Sequence, residues 1–202
     1  MNVFLKMNIC IRQIGIVVII CVCSWTAGDA QTGFNIKFGA ETWSLKDEKA
    51  QSGESSHPGQ MIGFDVFVGE DRFYFVPGFH YHRISVLNEE DPFSLDFSDP
   101  HHMHYITIPL MAGYKVIDSS FVNLSVLAGG EINFFYSLDE NDVGLDDNDF
   151  YGLSGALSAG LHAEFFSILT TEIRYHYGLF PIQKIRDDSK MSGWTIAVGV
   201  KF

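Results

Sequence analysis

Beyond residue 30 this 202-residue chain has no cysteine, since Cys10, Cys21 and Cys23 all lie before that point. A disulfide framework and a thiolate metal site are therefore excluded from most of its length. That same region lacks any apolar run approaching the ~20 residues a membrane-crossing helix needs. Nor does it show the Ala/Glu/Lys/Leu periodicity of amphipathic helices. Basic residues are scarce too. The whole chain carries 13 Lys and Arg against 25 Asp and Glu; setting aside Lys6, Arg12 and Asp29 leaves 11 against 24, a net of −13. Such a balance argues against nucleic acid as a partner.

The first 30 residues have a different character. Lys6 and Arg12 give a positive start, Ile14 to Trp25 is an apolar run, and Gly28 and Ala30 are small residues ahead of Gln31. That order is the pattern of a cleaved secretory signal peptide, with cleavage after Ala30, and the run is too short to span a bilayer. The expected division is a signal peptide over 1–30 and one domain over 31–202.

What the domain has in plenty is aromatic residues and glycine, with alternation of period two. Ser192 to Phe202 reads SGWTIAVGVKF. Trp194, Ile196, Val198, Val200 and Phe202 share one face of a strand, and small or polar residues share the other. A soluble edge strand ending on an exposed Phe would invite aggregation. A strand that faces lipid and closes a barrel against the first strand avoids that problem. Similar alternation predicts strands over Gly33–Leu45, Gln60–Gly69, Phe73–Ile84, His102–Val116, Phe121–Tyr136, Phe150–Glu164 and Leu169–Leu179. Pro77 interrupts the third and predicts a local bulge there. The seven connections alternate long and short, the rhythm of a barrel with turns at one end and large loops at the other. The expected fold is all-β, an eight-stranded antiparallel up-and-down transmembrane β-barrel.

A soluble lipocalin-like ligand-binding barrel would have the same strand count but turn its apolar rows inward. The polar rows decide between the two. They hold Lys37, Glu41, Asp65, Glu131, Glu164, Glu172, Arg174 and His176, sparse charges of both signs with Gly and Ser between them. Charges that can pair suit a narrow, filled interior, because eight strands leave only side-chain width. The opposite rows are almost purely apolar, as a lipid-facing band requires.

Two clusters suggest metal. His80 and His82 sit on the third strand, and His101, His102 and His104 sit at the start of the fourth. Parity places His80 and His82 in the lumen and His102 and His104 on the face of Ile106, which argues against one site. The acidic run Asp139 to Asp149 fails the EF-hand pattern, because Val143 and Phe150 occupy two ligand positions; it reads as a solvated loop. No nucleophile–base–orienter spacing is recognisable around His82, Ser85, His102 or His104. No cofactor is expected.

His104 to Val116 (HYITIPLMAGYKV), Phe73 to His82 (FYFVPGFHYH), Thr170 to Leu179 (TTEIRYHYGL) and the closing WTIAVGVKF together resemble the outer-membrane β-barrel family that includes PorT-like proteins. The most specific elements are Ile108-Pro109 and the run Arg174 to Gly178. The resemblance implies the eight-stranded fold, placement in the outer membrane of a Gram-negative bacterium, and recognition of the terminal strand by the barrel-insertion machinery. PorT is tied to protein secretion machinery, yet membership implies no single activity. The expected function is that of a non-enzymatic barrel, structural, adhesive or secretion-associated, contacting outer-membrane lipid and lipopolysaccharide, with acidic extracellular loops open to a protein partner. A lipid-A-modifying enzyme is the alternative from another class, and a small pore ranks last.

Overall fold

The computed structural model describes residues 31–46, 56–70, 72–85, 102–139, 150–182 and 190–202. The expected signal peptide and most of the long loops lie outside these residues. Eight strands follow in order: β1 (Gln31–Lys46), β2 (Ser56–Glu70), β3 (Phe73–Ser85), β4 (His102–Asp118), β5 (Val122–Leu138), β6 (Leu153–Phe165), β7 (Leu169–Gly178) and β8 (Lys190–Lys201). Each pairs antiparallel with its neighbours in sequence, and β8 pairs with β1 to close the barrel. At that seam Phe34 and Phe202 exchange backbone hydrogen bonds of 3.1 and 2.7 Å. The terminal aromatic thus satisfies a backbone edge that lipid could not.

Alternation places the side chains as the period-two pattern predicts. Ile36, Phe38, Ile62, Leu157, Ile196 and Val198 point outward and are about half exposed, while Lys37, Asp65, Glu131 and Arg174 point inward and are buried. The paired walls run past the apolar bands. β2 begins at Ser56, not Gln60, and β4 and β5 extend to Asp118 and Leu138. Pairing continues where hydrophobic patterning stops, since a wall that leaves the hydrocarbon no longer needs an apolar face. β6 starts later than its alternation suggests, because Phe150 folds inward and stacks on Phe135 with ring centroids 4.8 Å apart.

Pro77 produces no bulge. Asp65↔Gly78 and Val68↔Phe75 keep one register across it on the β2 side, and Pro77↔Leu110 and His80↔Thr107 do so on the β4 side. A proline costs the ladder its own missing donor and need not add a residue. The neighbouring Gly78 lies where the walls crowd: a Cβ there would collide with the Asp65 carboxylate, lie 2.8 Å from the Phe64 carbonyl and 3.0 Å from the Pro109 ring. Register shifts occur instead between β4 and β5, at His104/Tyr105 and Lys115/Ile117. The β6–β7 turn places Phe166 and Ser167 at φ 54° and 61°. Two successive left-handed residues match the hairpin turn whose twist fits the strands it joins.

The interior is layered. Towards the long loops, Trp43, Ile84, Met103, Tyr105, Phe150, Ile182 and Met191 form an apolar cluster. Towards the short turns, Phe67, Val76, Met111 and Leu127 form a second. A polar belt lies between them.

Candidate functional site

The belt is a nearly continuous circuit of contacts between side chains that share the inward face. Lys37 Nζ (β1) lies 2.7 Å from Asp65 Oδ2 (β2) and 3.2 Å from Glu172 Oε1 (β7). Arg174 Nη2 lies 2.6 Å from Glu172 Oε1, an ion contact off the hydrogen-bonding direction, and Nη1 donates to Glu131 Oε1 (β5) at 3.3 Å. His176 Nδ1 is 2.8 Å from Glu131 Oε2, and its Nε2 is 2.8 Å from Thr195 Oγ1 (β8). Thr195 donates to Glu41 Oε1 (β1) at 2.7 Å, and His82 Nδ1 (β3) is 2.9 Å from Glu41 Oε2. Two residues along β3, His80 Nε2 reaches Asp65 Oδ1 at 2.8 Å. Ser158 (β6) donates to Glu131 at 2.8 Å and Trp43 donates to Glu41 at 3.1 Å.

The eight charged or titratable lumen residues predicted from the sequence therefore stand in two groups, seven in the belt and one outside it. Lys37, Glu41, Asp65, Glu131, Glu172, Arg174 and His176 join the belt, whereas Glu164 stands apart near the short turns, bonded to Lys201 and within 3.5 Å of Asn123. His80, His82, Thr195, Ser158 and Trp43 are belt members that the charge pattern passed over. The signal for the two histidines was their lumen parity, since Asp65 and Glu41 face them once the short β2–β3 turn fixes the register. The outward row of β8, Trp194, Ile196, Val198, Val200 and Phe202, is 40–75 % exposed.

The histidines divide as parity requires. His104 stacks on Tyr81 at the outer wall, takes a 2.6 Å hydrogen bond between Nδ1 and the tyrosine hydroxyl, and lies 3.2 Å from Asp139. His102 is buried beside it against Arg83 and Asp139. His101 lies outside the described residues. Among the described residues no group of three His, Cys, Asp or Glu has metal-binding geometry.

Glu131, His176 and Thr195 stand in the order orienter, base and hydroxyl that nucleophilic catalysis uses. Access argues against that use. Thr195 is 2 % exposed, its hydroxyl hydrogen is directed to Glu41, and neither Thr195 nor His176 lines the cavity described below.

A family model described as an outer membrane protein beta-barrel domain matches residues 29–184. The chain belongs to this outer-membrane barrel family. Among solved structures the barrel is similar to Ail, the attachment invasion locus protein of Yersinia pestis, in complex with the heparin analogue sucrose octasulfate. Identity is 16 % over 85 % of this chain and 99 % of that one, with a TM-score of 0.52. It is also similar to Neisserial surface protein A, at 14 % identity over 84 % and 97 % of the two chains and a TM-score of 0.51. At such identities the likeness is one of fold alone. No curated protein matches the chain. The outer-membrane barrel sits in the Gram-negative outer membrane, its apolar rows against lipid. The family match covers such barrels at large and does not single out a PorT-like branch.

Proposed function

We propose that this protein is a sealed, non-enzymatic outer-membrane barrel that acts through its long loops, as a structural, adhesive or secretion-associated component. The observation that carries the reading is the filled interior. Between the two apolar clusters the belt occupies the cross-section, and Met111 and Leu127 below it are wholly buried. Eight strands leave width for side chains and none to spare for a solute. Residues 1–30 serve as the export leader, a reading supported by a family match that begins at residue 29. The β8 row ending at Phe202 serves as the segment read by the insertion machinery, and the outer wall meets lipid and lipopolysaccharide.

The loops set the partner. Asp139 to Asp149 holds Asp139, Glu140, Asp142, Asp146, Asp147 and Asp149 with no basic residue, and Glu89, Glu90, Asp91, Asp96 and Asp99 lie in the preceding long loop. Ail is crystallised with a polyanion; a surface this acidic favours a cationic partner instead. Deleting residues 140–149 from the full chain should leave the heat-modifiable folded band intact and remove crosslinked partners from native membranes. Unchanged crosslinks would overturn the loop assignment. An altered lipid A acylation pattern in a deletion strain would return the lipid-modifying enzyme.

A further inference from the structure

We propose that the belt binds one exchangeable proton, shared along Glu131–His176–Thr195–Glu41 and loaded from the long-loop end through His82. The inference rests on counting hydrogens. The Thr195 hydroxyl has a single hydrogen and donates it to Glu41 at 2.7 Å. It must therefore accept from His176 Nε2, 2.8 Å away. His176 Nδ1 lies 2.8 Å from Glu131 Oε2. Three hydrogen bonds in this row need three hydrogens, whereas a neutral imidazole and a hydroxyl supply two. The third is an added proton. It resides on the imidazole, or on either carboxyl when the intervening bonds reverse together, so it belongs to the row and not to one residue.

The surroundings favour it. Among the described residues four carboxylates face the belt, from Glu41, Asp65, Glu131 and Glu172, but only two permanent cations do. Lys37 serves Asp65 and Glu172, and Arg174 serves Glu172 and Glu131. Glu41 contacts neither; its partners are Thr195, Trp43 and His82. The remaining titratable neighbours are His80 on Asp65 and His162, 3.7 Å from Glu172. Buried carboxylates without compensating charge are costly, and a bound proton reduces the deficit without adding a side chain.

The geometry also gives a direction of loading. His82 gives Glu41 its Nδ1 hydrogen, while its Nε2 is buried and has no hydrogen-bond partner. Its ring lines a cavity of about 20 Å³ that it shares with Thr107, Asn133 and Ser154, room for about one water molecule. A proton arriving at Nε2 releases the Nδ1 proton to Glu41, and the row passes it towards Glu131. The imidazole stays neutral but changes from the Nδ1–H to the Nε2–H tautomer, and it must exchange back before a second proton can follow. Past Glu131 the path meets Ser158, whose hydroxyl reaches Met111, Arg174, which does not release its proton, and the apolar cluster of Phe67, Val76, Met111 and Leu127.

The test is nuclear magnetic resonance of the full chain folded in detergent micelles with nitrogen-labelled histidine at neutral pH, paired with infrared detection of protonated carboxyl. His176 is assigned by signal loss in His176→Gln. The wild type should show either a doubly protonated His176 or one protonated carboxyl. Thr195→Val, which removes the need for the third hydrogen, should lose one bound proton per barrel; Thr195→Ser should retain it. His82→Phe should retain the proton and slow its exchange with solvent. Heat-modifiable migration confirms that each variant is folded. A bare ring nitrogen on His176 without protonated carboxyl in the wild type, or no change in Thr195→Val, would overturn the bound proton. Unaltered exchange in His82→Phe would overturn the route.

Discussion

The two faces of the same strands solve opposite problems. Outward residues such as Ile36, Leu157 and Ile196 are interchangeable apolar groups, since hydrocarbon asks only that they carry no charge. Inward residues each have named partners at fixed distances. Lys37 bridges two other strands, and Arg174 joins carboxylates on its own strand and on β5. One face tolerates substitution within a class; the other is intolerant of losing any single member.

The contrast is sharpest at Arg174. Arg174→Met would leave Glu172 and Glu131 short of a buried cation and should cost about 3–5 kcal/mol of stability. Urea titration of the micelle-folded barrel would measure it. The double variant with Glu131→Gln should cost less than the two single changes summed, because the groups are coupled. Additive losses would mean that the contact contributes little.

The apolar layer of the lumen should behave differently. Leu127→Ala would open a cavity in a fully buried cluster, at roughly 2–4 kcal/mol, and Leu127→Met should be nearly silent. A silent Leu127→Ala in the same titration would show that the plug is loosely packed.

On the outer wall the sign of the test reverses: the damage comes from adding charge. Ile196 lies mid-strand, opposite Ala40 and Ile173. Ile196→Arg should cost about 2–4 kcal/mol and lower the folded yield, whereas Ile196→Leu should be tolerated. Equal folded yields for Ile196→Arg and wild type would mean that this face does not meet lipid.

The smallest effect belongs to neither face. Ser167 holds a left-handed conformation in the β6–β7 turn. Ser167→Gly should relieve that cost and stabilise by up to ~1 kcal/mol, offset in part by a freer unfolded chain. A destabilised variant would indicate that the serine side chain has a role in the turn.

The sequence made the architecture legible because a barrel wall is a local pattern repeated eight times. Parity alone located Lys37, Glu131 and Arg174 on the inner face. It could not reveal which of them touch, because contact depends on register across strands distant in sequence. Thr195 illustrates the limit. Nothing about a threonine among small residues marks it as the link between His176 and Glu41. The inner aromatic and aliphatic layers escaped for a related reason: Phe67, Val76 and Leu127 lie on the polar parity, where an apolar residue looks like noise in the alternation. Pro77 misled in the opposite direction, since a missing donor removes a ladder hydrogen bond without adding a residue to the strand, and the register runs on unbroken.

The circuit across the lumen also orders events in time. Lys37 and Glu172 are 135 residues apart, and Thr195 and Glu41 are 154 apart. Asp65 and Glu131 can find partners on strands already in the growing sheet, but the Lys37–Glu172 and Thr195–Glu41 contacts wait until β8 meets β1. Contacts of such long range form slowly, because the chain between them must first be organised. Seam closure is therefore the moment at which the interior changes from a hydrated, self-repelling surface to a locked one. A sheet joined two residues out of register would close its backbone ladder yet leave Glu41 without Thr195, which lets the side chains proofread an alignment that main-chain hydrogen bonds alone would accept.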